Sequence, residues 1–264
     1  MLFNFLKVAS AVVLLSSSTL LASANPAPGV HDLIAEDATL SHLEKRAAAS
    51  IVTACKVPGQ VAVTFDDGPS AYTSTLLNYL DKKKVKVTFF VNGDNGSRID
   101  KGYKKDAVVR AYKAGHQIAS HTWSHQDLAK LSESQIKVEM ETLDKALKKL
   151  IGYRPLYMRP PYGSTNDLAL NYLGKNGYTV VNWNIDSNDW RHPKDVQAGL
   201  KAYTDVLKKS SAKKKGWIGL QHDTYKETAT KLGPQVIDWL LNNKYTVVPV
   251  GTCLGKSQNQ WYRK

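Results

Sequence analysis

The sequence contains little cysteine and, beyond its N-terminal segment, no long hydrophobic run. Only Cys55 and Cys253 are present among 264 residues, so no cysteine-rich binding module is expected. The C-terminal residues 260–264 are polar and charged, and no membrane or lipid anchor is expected there. No internal sequence repeat is visible. These absences favour an ordinary globular domain.

Acidic residues are also scarce relative to basic ones. Lysine and arginine number 36 against 23 aspartates and glutamates, a net charge of +13. Such a charge favours contact with polyanions. However, the lysines are scattered in short runs that are not interleaved with aromatic residues, namely Lys82–Lys84, Lys148–Lys149 and Lys213–Lys215. We therefore predict a solvated basic surface and no nucleic-acid partner.

The N-terminal segment has the features of secretion and processing signals. Lys7 precedes an apolar core, Val8–Leu15, and small residues follow at Ala22–Ala24, which predicts a signal peptide over residues 1–24. The next stretch is acid-leaning and ends in a dibasic pair, Lys45-Arg46, which predicts a pro-segment over residues 25–46. The remaining residues, 47–264, are enough for one domain with a full core.

Secretion has consequences for two residue types. In an oxidising compartment Cys55 and Cys253 are expected to form a disulfide, which would tie the approach to the first strand to the exit of the last. Asn95-Gly96-Ser97 is an acceptable glycosylation sequon, so Asn95 is a predicted glycosylation site.

Hydrophobic periodicity in the remaining chain predicts seven strands alternating with about six helices. This alternation favours an α/β fold with a parallel sheet, either a barrel or a doubly wound sheet. Polar clusters follow five of the strands. This favours a barrel with its chemistry at one mouth, the end at which the carboxyl ends of the strands meet. The predicted strands are 61–66, 85–91, 116–120, 156–158, 178–185, 217–221 and 245–249. The predicted helices are 71–84, 101–114, 132–150, 166–176, 193–210 and 233–243.

The first of these clusters is Thr64-Phe65-Asp66-Asp67-Gly68-Pro69, where a buried strand ends in two adjacent carboxylates. Two ionised carboxylates this close require a cation or a strong donor nearby. One could bind a metal ion while the other acts as a base. A solvated turn is the alternative, because Asp-Gly and Gly-Pro are ordinary turn dipeptides.

The second cluster, His121-Thr122-Trp123-Ser124-His125, places two imidazoles four residues apart. In a helix-like turn both rings would point the same way and could share a metal ion. Two histidines and one carboxylate suit Zn²⁺, and also Fe²⁺, Co²⁺ or Ni²⁺. Two merely polar or packed histidines are the alternative.

Two further loops bring rigid and aromatic residues to strand ends. In the stretch 159–163 two prolines fix the backbone, which could hold Arg159 against a carboxylate and aim the Tyr162 amide into the mouth. In the stretch 186–190 acids accompany Trp190, which could stack on a sugar ring. The alternatives are a plain proline-rich turn and a half-buried structural tryptophan.

The last cluster, Leu220-Gln221-His222-Asp223, places a histidine at the end of the sixth strand. His222 could act as a general acid if its pKa lies near neutrality. A structural histidine is the alternative.

Taken in order, the motifs TFDDGP, HTWSH, RPPYG, DSNDW and LQHD resemble those of the polysaccharide deacetylases, carbohydrate esterase family 4 with its NodB-homology domain. The resemblance extends from about Val61 to Val250. It implies a distorted (β/α) barrel of about seven parallel strands, NodB-like, which agrees with the strand count.

The resemblance also implies a role for each motif. Asp66 is the implied catalytic base, and Arg159 orients it. His222 is the implied general acid, and Asp189 tunes it. The implied metal ligands are Asp67, His121 and His125. The backbone amide of Tyr162 is the implied oxyanion donor, and Trp190 and Leu220 are the implied walls of the substrate pocket.

The implied activity is metal-dependent hydrolysis of the N-acetyl group from N-acetylglucosamine units of chitin or chitooligosaccharides. One divalent cation is implied, zinc first and cobalt second. The expected protein is a monomer, secreted to the extracellular space or the cell wall. Two alternatives stay open: an acetylxylan esterase of the same family, and a non-catalytic protein that binds wall polysaccharide.

Overall fold

The structure is a computed structural model that describes residues 47–209 and 211–264. The predicted signal peptide and pro-segment lie outside the described residues. No helix among the described residues combines the length and apolar character needed to cross a membrane.

The core of the fold is a parallel sheet of nine short strands, which confirms the predicted α/β class. Its strand order is β1-β7-β6-β4-β3-β2-β9-β8, and β10 pairs with the start of β2. The strands are β1 Ile51–Val52, β2 Gln60–Asp66, β3 Thr88–Val91, β4 Gln117–Ser120, β6 Tyr157–Met158, β7 Thr179–Val181, β8 Ile185–Asp186, β9 Trp217–His222 and β10 Thr246–Val247.

Helices connect the strands on the outside of this curled sheet, as the alternating pattern predicts. The six longer helices are α1 Thr73–Lys83, α2 Gly102–Lys113, α3 Glu133–Ile151, α4 Asp167–Lys175, α5 Val196–Leu207 and α6 Gly233–Asn242, and a short α7 spans Val250–Cys253. The predicted capping box of α3 is present: the Ser132 side chain accepts from the Gln135 N–H, and the Gln135 side chain accepts from the Ser132 N–H. The structure therefore confirms the six predicted helices and their order along the chain.

Strand β2 lies at the centre because both of its faces are covered. Val61, Ala62, Val63 and Phe65 are fully buried, and β2 pairs with β3 on one side and β9 along nearly its whole length on the other. A strand buried on both faces requires a continuous apolar run rather than alternation. That requirement explains why the run before Asp66 is the clearest strand signal in the sequence.

The prediction of one strand over 178–185 is wrong. The chain leaves β7 at Val181 and enters β8 at Ile185. In the strand order β8 lies at one end, whereas β7 lies next to β1 at the other end. Asn182 and Asn184 account for the break, because their side chains bond neighbouring backbone groups: Asn182 donates to the Gly163 carbonyl, and Asn184 accepts from the Ile218 N–H. This segment bridges the gap between the sheet edges, so the barrel is distorted.

Three short strands have no counterpart in the sequence prediction. They are β1 and an antiparallel pair, β5 Arg154–Pro155 and β11 Tyr262–Arg263. Strands of two residues are too short for a period to be recognised. Cys55, before β2, forms a disulfide with Cys253 at the end of α7, as expected. In the chain-entropy model a loop of this length contributes up to about 5 kcal/mol.

The parallel sheet brings its carboxyl ends to one edge. Asp66 ends β2, His121 follows β4, Arg159 follows β6, Asp186 ends β8 and His222 ends β9. The predicted polar clusters therefore gather at one mouth.

Candidate metal and active site

Asp67 and two histidines form the most compact donor cluster among the described residues. The Asp67 Oδ1 atom lies 3.3 Å from His121 Nε2 and 3.2 Å from His125 Nε2. One ligand atom from each of the three residues lies within 4.8 Å of the others. Burial alone raises the pKa of Asp67, but the contacts of Asp67 with His121 and His125 and the charge of His222 outweigh it and hold that pKa well below its ordinary value. The carboxylate is thus ionised and ready to bind a cation.

The surroundings of His121 determine which of its nitrogens faces this cluster. His121 Nδ1 lies 2.7 Å from the Arg159 carbonyl, which can only accept, so Nδ1 carries the proton. The lone pair is then on Nε2, the atom next to Asp67. A ligating histidine is commonly oriented by such a bond from its other nitrogen to a carbonyl.

These residues fit a divalent cation. Asp67 Oδ1 is buried and has no hydrogen-bond partner among the described residues, although both imidazole Nε2 atoms lie close to it. Ligands about 2.0–2.2 Å from a tetrahedral zinc ion are separated from one another by about 3.3–3.6 Å, close to the measured separations from Asp67. Two imidazoles and one carboxylate also suit other first-row divalent cations.

The predicted helix-like turn between the histidines is wrong. Residues 121–125 follow β4 as an irregular loop, in which Thr122 and His125 have φ values of 70° and 59°. The two rings still meet edge to face, with centroids 5.0 Å apart. Glu139 on α3 fixes the loop, because its carboxylate accepts from the Ser124 N–H and hydroxyl at 2.8 and 2.5 Å. Tertiary contacts therefore produce the convergence that the helical spacing suggested.

Asp66 lies beside this cluster and is paired with Arg159. Arg159 Nη1 donates to Asp66 Oδ1 at 2.7 Å, and the side chains are 0% and 2% exposed. The guanidinium also donates to the Thr64 hydroxyl and to the carbonyls of Val181 and Asn182. Asp66 Oδ2 lies 3.9 Å from His121 Nε2. A charge pair this deeply buried is held in one geometry, which leaves the second carboxylate oxygen directed at the donor cluster.

His222 and Asp189 form a second polar pair on the other side. His222 Nδ1 lies 2.7 Å from Asp189 Oδ1, and Asp189 Oδ2 accepts from the His222 N–H and the Thr228 hydroxyl at 2.8 and 2.9 Å. Burial lowers the pKa of His222, but the hydrogen bond and charge of Asp189, with Asp66 and Asp67, raise it to about 9. The ring is therefore protonated at neutral pH, and its Nε2–H is available to the mouth.

One cavity of about 360 Å³ contains these groups. Leu220 and two exposed aromatics, Tyr162 at 69% and Trp190 at 45% exposure, line it. Trp190 Nε1 lies 3.5 Å from Asp186 Oδ2, at the limit of a hydrogen bond. Arg159 and Asp189 are absent from the lining, because each lies behind the residue it bonds. Carboxylate and imidazole groups therefore form the base of the cavity at the mouth, and aromatic side chains form its sides.

Several residues at the mouth were not identified from the sequence. Trp183 and Tyr225 line the cavity, and Asn92 donates its side-chain N–H to the carbonyls of His121 and Thr122. Tyr225 and Asn92 each follow a predicted strand end closely, a signal that could have found them. Trp183 lay inside a segment that we predicted to be a strand, which concealed it.

Asp223 is a further buried group beside the site. Its Oδ2 accepts from the Thr73 hydroxyl, and its backbone carbonyl accepts from the Ser70 hydroxyl at 2.5 Å. A side chain at Gly68 would collide with the Asp223 carboxylate. Asp223 therefore fixes the turn that carries Asp67 and Gly68, although the LQHD motif suggested no role for it.

Backbone strain is concentrated at the mouth. Of the non-glycine residues with positive φ in the described chain, five lie in loops at the carboxyl ends of the strands, namely Asp67, Thr122, His125, Tyr162 and Asn188. Left-handed residues other than glycine cost of order 1–3 kcal/mol and cluster at functional sites. Asn95, by contrast, is exposed in a turn outside the cavity.

The fold and donor set define a class: a distorted (β/α) barrel with an Asp-His-His cluster at its mouth. A family profile described as polysaccharide deacetylase matches residues 54–181. A chitin deacetylase from Pestalotiopsis sp. is 44% identical over 242 residues, covering 90% of this chain and 79% of the relative. The chain belongs to the polysaccharide deacetylase family, as its five motifs predicted.

Solved structures agree with this assignment. The chitin deacetylase of Colletotrichum lindemuthianum superposes with a TM-score of 0.79 at 34% identity, over 82% of this chain and 96% of that one. The carbohydrate esterase domain of a multidomain xylanase from the hindgut metagenome of Trinervitermes trinervoides gives a TM-score of 0.64 at 31% identity, over 75% and 90%. The NodB-like barrel is therefore confirmed.

Proposed function

We propose that this protein is a secreted chitin deacetylase, which hydrolyses the acetamide of N-acetylglucosamine units in chitin or chitooligosaccharides to a free amine and acetate. The observation that carries the proposal is the grouping of Asp66, the Asp-His-His cluster and His222 around one cavity. The similarity to fungal chitin deacetylases supports the choice of substrate.

We propose Asp67, His121 and His125 as the ligands of one divalent cation, zinc first and cobalt second. When bound, such a cation polarises the substrate carbonyl and lowers the pKa of water. The chain's contribution is to keep Asp67 ionised and to fix the tautomer of His121.

Asp66 is the proposed general base. Its Oδ1 is occupied by Arg159, so Oδ2 is the atom that accepts the proton of the attacking water. The hydrogen bond from Arg159 prevents this buried carboxylate from rotating. A base in a fixed orientation loses little entropy when the reaction occurs.

The backbone N–H of Tyr162 is the proposed donor to the oxyanion, which forms on the acetamide oxygen when water attacks the acetamide carbon. The positive φ of Tyr162, 61°, turns the backbone sharply beside the cavity. An oriented backbone amide stabilises developing negative charge without reorganising. Leu220, 4% exposed in the same cavity, provides an apolar wall for the acetyl methyl group.

His222 is the proposed general acid. An amine leaves an amide only with difficulty unless its nitrogen is protonated, so this proton decides whether the intermediate breaks down to products. Asp189 holds His222 in the protonated state through Nδ1, and Nε2–H donates the proton. Trp190 and Tyr162 are placed to pack against the sugar rings.

The second candidate activity is acetylxylan esterase, which the similarity to the esterase domain of a xylanase favours. Without a proton from His222 the nitrogen would have to leave as an amide anion, and an alkoxide leaves more easily than that anion, so ester cleavage depends less on His222. A non-catalytic wall-binding protein is the third possibility, and the complete set of charged groups in the cavity argues against it.

The test is acetate release by the purified secreted protein from chitin oligomers and from acetylated xylan. Treatment with a chelator should abolish release, and added Zn²⁺ or Co²⁺ should restore it. His222→Ala should lower the rate on chitin oligomers at least about 10²-fold, whereas His192→Ala, an exposed histidine outside the cavity lining, should not. Faster release from acetylated xylan would favour the esterase, and no release from either would favour a binding protein.

Processing, modification and assembly follow as parts of the same proposal. We propose removal of residues 1–24 as a signal peptide and of 25–46 as a pro-segment, leaving a catalytic domain over 47–264 that acts as a monomer. Asn95 is a proposed glycosylation site, since it is exposed in the turn closed by the Asp94–Arg98 bridge. Intact mass before and after deglycosylation would test both the processing sites and Asn95.

A further inference from the structure

The positive charge of this protein is concentrated at the end opposite the mouth. In a parallel βα fold the connection from a helix to the next strand lies at the amino end of the sheet. These connections contain eight lysines, Lys84, Lys86, Lys208, Lys209, Lys213, Lys214, Lys215 and Lys244, and no aspartate or glutamate. The loops at the mouth mix both signs, as in Asp94 with Arg98 and Asp127 with Lys130. The excess positive charge is therefore distributed unevenly, with more of it at the amino end of the sheet than at the mouth.

Six of these lysines form one continuous surface, which we call the basic face: Lys208, Lys209, Lys213, Lys214, Lys215 and Lys244. All six are exposed. Three contacts hold their segments together. The Tyr245 hydroxyl donates to the Leu207 carbonyl, Lys213 Nζ lies 5.7 Å from the Tyr245 ring centre, and Gly59 bonds both Lys215 and Thr246 through its backbone.

The charges of the basic face are not neutralised locally. No ion pair joins any of its six lysines to a described residue. The neighbouring Lys83, in contrast, pairs with Asp238. Lysines elsewhere on the surface also have partners, such as Lys137 and Lys145 with Glu141. The face thus presents unpaired charge that a ligand can neutralise.

The helix macrodipole does not account for this surface. Lysine near a helix carboxyl end is favourable, but the effect is confined to the last turn. Lys213, Lys214 and Lys215 lie six to eight residues beyond the end of α5. A run of like charges there is repulsive without a counter-charge, so the helix ends explain Lys208 and Lys209 at most.

A shallow groove crosses the face. It has a volume of about 230 Å³, and Trp239 and Tyr245 line it beside Lys208, Lys209 and Lys213. The two aromatic rings stack at 6.2 Å with an interplanar angle of 26°. Tyr245 is 4% exposed, so the partly exposed Trp239 ring, bordered by ammonium groups, is the aromatic surface that fits a sugar ring carrying a carboxylate.

We infer that the basic face binds an acidic polysaccharide, a chain of uronate sugars, and that this binding is independent of the catalytic mouth. The aromatic lining of the groove favours a sugar ring over a bare phosphate, and the lysine ammonium groups pair with the carboxylates of the sugar as point charges. The disulfide is consistent with an oxidising compartment, where extracellular polysaccharides are the polyanions at hand. A protein held by this face keeps its mouth directed away from the bound chain.

The test measures affinity for polygalacturonate by titration calorimetry, with fully methyl-esterified polygalacturonate as the uncharged control ligand. The test variant replaces three lysines of the face with glutamine. A matched variant removes the same charge from exposed lysines elsewhere. The test variant changes Lys213, Lys214 and Lys215, and the matched variant changes Lys130, Lys137 and Lys145.

The variant of the face should weaken binding at least about tenfold near 50 mM salt, because it removes three charges from a contact that is driven by charge and is strongest at low salt. The matched variant should stay within about twofold, and both should keep acetate release from soluble chitin oligomers. Equal losses in the two variants would mean that net charge alone acts, and would overturn the inference.

Two other outcomes would also overturn it. Equal affinity for the methyl-esterified polymer would exclude the carboxylates as the recognised group. Tighter binding to single-stranded DNA or to anionic phospholipid vesicles at the same salt concentration would assign the face to a different polyanion. Because the measurement uses a non-substrate polymer, failure of the proposed deacetylase activity would leave its result intact.

Discussion

The mouth and the basic face lie at opposite ends of the same sheet and are built in opposite ways. At the mouth, charged side chains are buried and each is held by named partners, as Asp66 is by Arg159 and His222 is by Asp189. At the basic face, lysines are exposed and have no acidic partner among the described residues. One chain thus uses charge for fixed geometry at one end and for long-range attraction at the other.

The largest expected effect comes from the buried pair at the mouth. Asp66→Asn keeps an acceptor for Arg159 but removes the base, so the rate of acetate release should fall at least about 10²-fold. The variant leaves the buried guanidinium without a counter-charge, which should also lower the free energy of unfolding by as much as about 3–5 kcal/mol. Steady-state kinetics and urea unfolding measure the two effects. A rate within threefold of wild type would contradict the role of Asp66.

The next effect is on pH dependence. His222 has a pKa raised to about 9 mainly by Asp189, against a burial effect that lowers it. Activity that needs protonated His222 is lost as the pH rises through that value. In Asp189→Asn the pKa should fall to its ordinary value near 6.5 or lower, so the alkaline limb of kcat/KM should move down by about 2 pH units or more. An unmoved limb would mean that another group titrates there.

A smaller effect is expected behind the mouth at Asp223. Burial raises the pKa of this carboxyl to about 7, so the folded chain keeps a proton that the unfolded chain loses near pH 4. Its favourable contribution is present below about pH 4 and disappears as the pH rises through about 7, a change of up to about 4 kcal/mol.

Asp223→Asn has no such proton, so its stability should not fall over that pH window. Urea unfolding between pH 4 and pH 8 in the presence of a chelator measures this difference. Zinc affinity, measured by competition with a chromophoric chelator, should also weaken in Asp223→Ala more than in Asp223→Asn, because asparagine retains an acceptor for Thr73. Equal affinities would show that the turn carrying Asp67 does not depend on this contact.

The smallest effect is expected at the basic face. Lys214→Gln should change acetate release from soluble oligomers by less than about twofold and the free energy of unfolding by no more than about 0.5 kcal/mol, since the side chain is exposed and unpaired. The same two assays measure it. A large loss of acetate release or of stability in Lys214→Gln would contradict the difference described between the basic face and the mouth.

The parts of the site that sequence analysis found are those where local pattern and tertiary structure agree. Asp66 and Asp67 end a strand buried on both faces, which produces a long apolar run, and the turn dipeptides after it mark the strand end. The capping box of α3 is likewise local. Such features depend on neighbours within a few residues, so one sequence suffices to predict them.

The parts that it missed depend on distant contacts. The convergence of His121 and His125 is produced by Glu139 and Asn92 rather than by helical spacing. The break between β7 and β8 follows from asparagine side chains that bond Gly163 and Ile218, far away in sequence. Trp183 enters the cavity only because of that break. A periodic pattern contains no information about these partners.

The disulfide between Cys55 and Cys253 makes almost the whole of the described chain a closed covalent ring, with a sequence separation of 198 residues. A protease that cuts an exposed loop, such as the turn at Asn95–Ser97, would therefore open the ring without releasing a fragment. The nicked protein would run at its full size on a gel without reductant and as two pieces after reduction. In a protease-rich extracellular setting, such a ring lets a damaged molecule retain both of its ends.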